Sequence, residues 1–236
     1  MKDVRIRDDS FLYKEQMMDH DIRHEQIAYY RAQAQEYDES AERYEELKGA
    51  FALARDLLMQ LGPFEQVLEL ACGTGTWTRV LLQIGRHITA LDAAPEMLAL
   101  AQQKLGNAPV SYQEADLFQW EPGQPYDLVF FANWLSHVPP KDLDAFLNKV
   151  SRAVGKGGYL VIFDQSTPML EDRQIMKEGE EGRIYAQRPL RDGKVFTIVK
   201  VFYDGVALQE RLASLGFEVA VSHLSESFFF LSARRL

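Results

Sequence analysis

The sequence predicts a doubly wound α/β fold, in which helices cover both faces of a mostly parallel sheet. From residue 66 onward, short apolar runs alternate with segments that carry apolar residues at helical spacing. The runs 126–133 (YDLVFFAN) and 158–164 (GYLVIFD) are almost continuously apolar, as expected for strands buried on both faces. A third run, 67–72, ends at a pair of glycines in VLELACGTGTWT, which predicts a tight turn at the carboxyl end of a strand. Ligands of such folds bind at this edge of the sheet.

The same patterns predict each element in chain order. Strands are expected at 67–72, 87–92, 110–116, 126–133, 158–164, 217–224 and 227–234. Helices are expected at 77–84, 95–105, 143–150 and 206–215. Pro95 suits the first turn of its helix, because the proline ring fixes a helical φ and the missing N–H has no partner there.

We interpret residues 1–236 as a single domain with two additions to its core. Residues 1–60 are expected to be helical, with recurring tyrosines, and to form a lid. Residues 183–202 predict a β-hairpin insertion that turns at Arg191-Asp192-Gly193, and the polar stretch before it is expected to be a loop. The core is expected at 66–165, and the closing helix and strands at 204–236.

Composition excludes several classes of protein. The chain is 47% hydrophobic and 26% charged, which is typical of a soluble globular domain. It has no apolar stretch of about 20 residues, the length that spans a bilayer, and its first residues lack the apolar core of a signal peptide. A single cysteine, Cys72, allows no disulfide within the chain and indicates a cytoplasmic location. The net charge of −9 argues against nucleic acid as a partner, and we expect no membrane partner.

The glycine turn has two candidate ligands, a dinucleotide and S-adenosylmethionine. The dinucleotide fingerprint requires a third glycine where this chain has Thr78, so that pattern fails. Asp92 ends the second predicted strand, where a carboxylate accepts hydrogen bonds from ribose hydroxyls. Asp116 ends the third, where an acidic side chain can accept from an adenine amino group. These positions favour S-adenosylmethionine.

Five stretches in this order resemble the motifs of class I S-adenosylmethionine-dependent methyltransferases: VLELACGTGTWT, ALDAAPEML, EADLF, YDLVFFANWLSHVP and GKGGYLVIFD. The resemblance implies a Rossmann-like sheet of seven strands, mostly parallel, with an antiparallel last strand. It implies S-adenosylmethionine as cofactor and S-adenosylhomocysteine as product. The cofactor-binding residues that it implies are Glu69, Ala71, Gly73, Thr74, Gly75, Trp77, Asp92, Ala93, Met97, Asp116, Leu117, Phe118 and Asn133. The chain departs from the family at Ala71, where glycine is frequent, and at Ala94, where serine or threonine is frequent.

His137 is the candidate catalytic residue. It follows the fourth predicted strand, and an unperturbed pKa near 6.5 suits a general base. The alternative is that it caps the next helix or lines the pocket, since an anionic acceptor needs no base. The stretch Asn133-Trp134-Leu135-Ser136 differs from the Asn/Asp-Pro-Pro-Tyr/Phe motif of methyltransferases that act on bases of nucleic acids. We find no convincing set of carboxylates near Asp164 and expect no metal.

The predicted hairpin is basic in an otherwise acidic chain. It carries Arg183, Arg188, Arg191, Lys194 and Lys200 against one acid, Asp192. Lys200 shares a strand face with Phe196 and Ile198, an unusual place for a free ammonium group. A three-residue turn would put Arg188 on that face and a two-residue turn on the other. This region and the N-terminal helices resemble a bacterial small-molecule subgroup that includes the phosphonate O-methyltransferase of dehydrophos biosynthesis.

The sequence therefore predicts methyl transfer from S-adenosylmethionine to a small anionic molecule, on oxygen. The alternatives are an N-methyltransferase of a small amine or heterocycle and a non-catalytic module that binds S-adenosylmethionine or S-adenosylhomocysteine. The predicted substrate-binding residues are Tyr29, Tyr30, Tyr37, Trp134, His137, Arg188 and Lys200. Were both hairpin cations to face solvent, a neutral aromatic substrate would be preferred. The chain is expected to be a monomer or a homodimer.

Overall fold

The computed structural model of the protein describes residues 22–41, 44–169, 176–178 and 184–236. Its strands are β1 (Phe64–Leu70), β2 (Gly85–Asp92), β3 (Val110–Glu114), β4 (Tyr126–Ala132), β5 (Val154–Gln165), β6 (Met176–Glu178), β7 (Ile184–Pro189), β8 (Val195–Val199), β9 (Phe217–His223) and β10 (Phe228–Arg235). Its helices are α1 (residues 22–33), α2 (Tyr37–Ala41), α3 (Glu45–Met59), α4 (Thr76–Leu81), α5 (Pro95–Leu105), α6 (Pro140–Ala153) and α7 (Gly205–Ser214).

The main sheet has seven strands in the order β3-β2-β1-β4-β5-β10-β9. Strands β1 to β5 pair in parallel, whereas β10 is antiparallel to both of its neighbours, β5 and β9. The order reverses at β1, which lies between β2 and β4, so the crevice at the carboxyl ends of these strands is the expected binding site. The predicted seven-stranded, mostly parallel sheet with an antiparallel last strand is confirmed.

The two faces of the sheet pack against different helices. Phe131 points to the face covered by α6 and α7, and its neighbour Phe130 points to the face covered by α3. Both phenylalanines are fully buried. Because each strand in the middle of the sheet is covered on both sides, successive side chains are all apolar, which explains the continuous apolar runs in the sequence.

The N-terminal region divides into two parts with different roles. Helix α3 buries Ala50, Ala54 and Leu58 against the sheet, so it is a layer of the core rather than part of a lid. Residues 22–41 lie instead at the carboxyl edge of the sheet. That the N-terminal region forms a lid remains a prediction for residues 22–41, and residues 1–21 lie outside the described residues.

The hairpin forms a separate small sheet of three strands, β6-β7-β8. The stretch before the hairpin was expected to be a loop, and it contributes the short strand β6. Arg188 pairs with Phe196, and the N–H of Leu190 donates to the Lys194 carbonyl oxygen at 2.8 Å, which leaves a three-residue turn. Arg183 lies outside the described residues.

None of the helices in the described part of the chain is long and apolar enough to cross a membrane.

Candidate active site

A cleft opens where β1, β2 and β4 end. The chain leaves β1 and β4 through residues with positive φ, namely Ala71 (54°), Gly73 (55°) and Asn133 (53°). This backbone conformation is costly for residues other than glycine and is frequently found at functional sites. It directs the chain sharply away from the sheet and brings the backbone to the surface of the cleft.

Asp92 connects the turn after β1 to the start of α5. One carboxylate oxygen accepts a hydrogen bond from the N–H of Gly73 at 2.8 Å, and the other accepts from the N–H of Ala94 at 2.9 Å. Each oxygen keeps a further lone pair for a ligand. Burial raises the pKa of this carboxyl group, and the backbone donors oppose that rise.

Asp116 has a similar arrangement after β3. Its carboxylate accepts from the N–H of Phe118 and from the side-chain amide of Gln119, both at 2.9 Å. The side chain lines the cleft together with Asp92. The predicted cofactor-binding residues that line the cleft are Ala71, Gly73, Asp92, Ala93, Met97, Asp116, Leu117, Phe118 and Asn133.

The other four residues predicted for the cofactor are not among those that line the cleft: Glu69, Thr74, Gly75 and Trp77. The Trp77 ring packs between Phe51, Phe130 and Phe163 at centroid distances of 4.4, 5.0 and 5.4 Å and belongs to the core. The Thr74 hydroxyl donates to the Asp38 carboxylate of α2.

Glu69 and Gly75 stabilise the turn after β1 from the side that faces away from the cleft. The Thr78 hydroxyl donates to Oε2 of the buried Glu69 carboxyl group at 2.6 Å, and burial raises the pKa of Glu69 to about 8. At Gly75 a Cβ atom would lie 3.1 Å from the Cβ of Ala101, so the glycine permits the close approach of α5. Any contact of these two residues with the cofactor remains a prediction.

A second cavity adjoins the cleft under the hairpin. Tyr30, Tyr37, Asn133 and His137 line both spaces and form the junction between them. The second cavity is also lined by Tyr29, Arg188 and Lys200, three of the predicted substrate-binding residues. Trp134, another of them, lines the cleft instead.

His137 is buried at the junction and has both ring nitrogens occupied. Its Nδ1 lies 2.7 Å from the Val199 carbonyl oxygen, which can only accept, so Nδ1 carries the proton. Nε2 then accepts a hydrogen bond from the Tyr30 hydroxyl at 2.7 Å. Burial, together with the nearby positive charges of Lys200 and Arg188, lowers the pKa of His137 to about 3. The expected pKa near 6.5 is therefore wrong, and the imidazole is neutral at pH 7.

The tyrosines at the junction are also neutral. Burial raises the pKa of Tyr30 well above 10 and that of Tyr37 to about 12. Burial raises the pKa of Tyr29 too, and its ring packs against Tyr30 and Phe196 at 5.0 and 5.9 Å between centroids. All three hydroxyl groups therefore keep their protons at neutral pH.

The hairpin cations lie on the inner face of the small sheet. The three-residue turn places Arg188 on the same face as Lys200, which is the first of the two registers considered above. Lys200 is only 5% exposed, and its ammonium group donates to the Ser136 hydroxyl at 2.9 Å. Ser136 also bonds to Asp164, a buried carboxylate whose pKa is raised by burial and lowered by Lys200. By contrast, Arg191 and Lys194 form ion pairs at the surface.

Comparison with known proteins identifies the family. A family model described as a methyltransferase domain matches residues 67–158. The protein DhpI, solved in complex with SAH and in complex with SAM and HEP, is 36% identical. The SAH complex aligns over 92% of this chain and 98% of DhpI with a TM-score of 0.77, and the second over 90% and 97% with 0.78. The chain belongs to the S-adenosylmethionine-dependent methyltransferases.

The resemblance inferred from the motifs is thus confirmed, and S-adenosylmethionine is the cofactor of this family. Curated relatives include trans-aconitate 2-methyltransferase from Rhizobium etli, 33% identical over 46% of this chain and 43% of the relative. Malonyl-[acyl-carrier protein] O-methyltransferase from a Paenibacillus strain is 34% identical over 54% of this chain and 48% of the relative. The chain therefore spans about half the length of these two methyltransferases.

The cleft of this methyltransferase fits its cofactor. Asp92 offers two carboxylate oxygens to a ribose, and Gly73 leaves the turn open, since a Cβ there would meet only the Tyr37 ring at 4.0 Å. Within the described part of the chain, three buried polar atoms of the cleft-lining residues lack a hydrogen-bond partner: Nε of Arg23, Oε1 of Gln26 and Nε1 of Trp134. A ligand that carries both donors and acceptors, as an adenosine does, can satisfy such atoms.

Sequence reasoning missed the part of α1 that closes the cleft. Arg23, Gln26 and Ile27 line it, and the Arg23 guanidinium lies 4.1 Å from the centroid of the Phe118 ring. Arg23 also forms an ion pair with Asp142 of α6 at 2.6 Å. These residues precede Tyr30 at intervals of three or four, so the helical face defined by Tyr30 and Tyr37 could have revealed them.

Proposed function

We propose that this methyltransferase acts on a small anionic molecule and methylates one of its oxygen atoms. The observation that carries the proposal is the pair of cations, Arg188 and Lys200, beside a cavity that joins the cofactor cleft. A guanidinium supplies two donors in fixed geometry and an ammonium supplies three, and hydrogen bonds between such groups and an anion are strong.

The same cations disfavour the rival N-methyltransferase. A small aliphatic amine is protonated at neutral pH and would meet two positive charges in the cavity. It would also have to lose its proton before reacting. DhpI was solved with SAM and HEP, and the malonyl-[acyl-carrier protein] relative is named an O-methyltransferase. The name of the second relative agrees with transfer to oxygen.

The state of His137 supports an acceptor that is already ionised. With a pKa of about 3 and its Nε2 lone pair bonded to Tyr30, the imidazole is a weak base at neutral pH. A carboxylate, phosphate or phosphonate needs no base. S-adenosylmethionine supplies a methyl group on a positively charged sulfur. Transfer of that group to an anionic oxygen would form a C–O bond, break the S–C bond, remove one positive and one negative charge and release no proton.

In this mechanism the residues of the chain bind and orient. Arg188 and Lys200 hold one oxygen of the anion, which leaves another free to attack. His137 is a positioning residue, because it fixes the direction of the Tyr30 hydroxyl proton and leaves the hydroxyl oxygen as an acceptor at the junction. The buried tyrosine rings exclude water from the reacting atoms.

Substitution of the hairpin cations tests the proposal. We expect Lys200→Met and Arg188→Met each to raise the KM of the acceptor at least about tenfold, because each removes a charged donor from the bound anion. The dissociation constant of S-adenosylmethionine should stay within about twofold, which also verifies that the variants are folded. Lys194→Met is the matched control, since Lys194 lies on the same hairpin but pairs with Asp192 at the surface.

Steady-state kinetics with methyl-labelled cofactor, on a panel of small carboxylates, phosphates, phosphonates and amines, would measure these effects. We call Arg188 and Lys200 together the anion clamp. An unchanged KM of the acceptor in both variants would show that the anion clamp does not bind the acceptor. Methylation of amines alone would establish the rival N-methyltransferase. Cofactor binding without turnover of any compound would favour the non-catalytic module.

A further inference from the structure

The second cavity is larger and more apolar than a small anion requires. Its volume is about 470 Å³, which is within the usual range of sites for small organic ligands. On the side of the core it is lined by four apolar or aromatic side chains: Tyr44, Leu47, Met169 and Phe228. The rest of the lining outside the junction is mixed and comes from Tyr29, Gln33, Glu36, Gln165, Arg188, Pro189, Leu190, Arg191 and Lys200. An acceptor of the size of inorganic phosphate would leave the four side chains on the side of the core in contact with water.

The side chains of Tyr44, Leu47, Met169 and Phe228 belong to the core rather than to the hairpin. Met169 and Phe228 are 5% and 1% exposed, and Phe228 stacks on Phe163 at 5.5 Å between centroids. Tyr44 and Leu47 pack against the same core cluster from the start of α3. These four residues, which we call the apolar wall, are therefore held rigidly where the cavity meets the core, as expected for a preformed binding surface.

The position of the cations gives the bound molecule a direction. Lys200 is bonded to Ser136, the neighbour of His137, so its charge lies beside the junction with the cofactor cleft. An anionic group held there faces the cofactor. The rest of the molecule must then extend into the remainder of the cavity, where the apolar wall is available.

We propose that the methyl acceptor is an amphipathic anion, that is, a carboxylate, phosphate or phosphonate attached to an aryl or alkyl group that packs against the apolar wall. This inference rests on the proposed function and adds the second half of the substrate to it. The anionic oxygen takes the methyl group, and the apolar group supplies binding energy and specificity.

Binding of model acids to the protein saturated with S-adenosylhomocysteine tests the proposal. Acetate, hexanoate, phenylacetate and the neutral isostere phenylacetamide would be compared by isothermal titration calorimetry. We expect phenylacetate or hexanoate to bind at least about tenfold more tightly than acetate, because burial of an aryl or alkyl group removes apolar surface from water. Phenylacetamide should bind at least about tenfold more weakly than phenylacetate, because it lacks the charge.

A second experiment substitutes residues of the apolar wall. Leu47→Asn should weaken binding of phenylacetate or hexanoate about tenfold and leave acetate unchanged, because it removes only the apolar contact. Leu53→Asn is the matched control on the same helix, since Leu53 is 50% exposed and lies outside the cavity. Met169→Gln repeats the test from another segment if Leu47→Asn does not fold.

The outcomes separate the two proposals. If acetate binds as tightly as phenylacetate and hexanoate, the apolar group is unnecessary and the amphipathic acceptor is overturned, while the anion clamp stands. If phenylacetamide binds as tightly as phenylacetate, the anion clamp of the proposed function fails and so does the amphipathic anion. Equal losses for acetate and phenylacetate in Leu47→Asn would mean that the wall shapes the site without contacting the acceptor.

Discussion

Asp92 combines a structural and a ligand-binding task in one carboxylate. It accepts hydrogen bonds from Gly73 and Ala94 and thereby holds the turn after β1 against the start of α5. The remaining lone pairs face the cleft. Asp127 performs the structural task alone, since one of its oxygens accepts from the N–H groups of Glu65 and Gln66 at 3.0 and 2.9 Å outside the cleft.

This pair of aspartates allows the two tasks to be separated. We expect Asp92→Asn to weaken S-adenosylmethionine binding by about 1–3 kcal/mol, because an amide replaces an acceptor of the ribose hydroxyls. Asp127→Asn should lower the free energy of unfolding by a similar amount and leave the cofactor affinity unchanged. Calorimetric titration and chemical denaturation of both variants would measure this. Equal cofactor affinity in Asp92→Asn and the wild type would contradict the assignment of the ribose.

The elements differ in how readily the sequence predicts them. The strands of the main sheet follow from continuous apolar runs, and residues at their carboxyl ends, such as Asp92 and Asp116, could be assigned in advance. The role of α1 is harder to assign. The spacing of Arg23, Gln26 and Tyr30 places them on one helical face, but only the tertiary contacts show that this face lines the cleft. The low pKa of His137 arises from burial under the hairpin, which is close in space but distant in sequence.

Both apolar packing and polar contacts connect the segment 22–41 to the rest of the molecule. Tyr29 packs against the hairpin and Ala34 packs against the start of α5. Arg31 bonds to both carboxylate oxygens of Glu96 at 2.9 to 3.1 Å, and Glu96 lies in the first turn of α5 beside the cleft. Arg23 pairs with Asp142, and Arg191 of the hairpin pairs with Glu36. Because exposed ion pairs are weak and are screened by salt, we expect the Arg31–Glu96 pair to hold this segment only weakly.

The contribution of one such pair is measurable. We expect Arg31→Met to increase the dissociation rate of S-adenosylmethionine about two- to threefold at low ionic strength, and the difference to shrink as salt is added. Arg55→Met is the control, because Arg55 pairs with its neighbour Asp56 on the exposed side of α3. Stopped-flow displacement at several salt concentrations would report the rates. A difference that is independent of salt would mean that Arg31 acts by packing instead.

On the scale of the whole molecule, two buried ionisable groups, His137 and Glu69, affect how stability depends on pH. Burial lowers the pKa of His137 to about 3 and raises that of Glu69 to about 8. The two groups act on stability in opposite directions. The stabilising contribution of His137 is complete above pH 6.5 and is lost as the pH falls towards 3. That of Glu69 is complete below about pH 4.5 and is lost as the pH rises towards 8.

Between pH 6.5 and 8 the contribution of His137 to the free energy of unfolding no longer changes with pH, whereas the contribution of Glu69 still does. We therefore expect the free energy of unfolding to fall with rising pH in this window, with a contribution from Glu69 of about 1 kcal/mol per pH unit. Glu69→Gln should remove that contribution, because the amide keeps the hydrogen bond from Thr78 and cannot ionise. Glu65→Gln, on the exposed part of the same strand, should leave the slope unchanged. Urea denaturation of the wild type, Glu69→Gln and Glu65→Gln at pH 6.5 and 8 would measure how the free energy of unfolding changes with pH. The same change in Glu69→Gln and the wild type would show that Glu69 is already ionised in the folded protein.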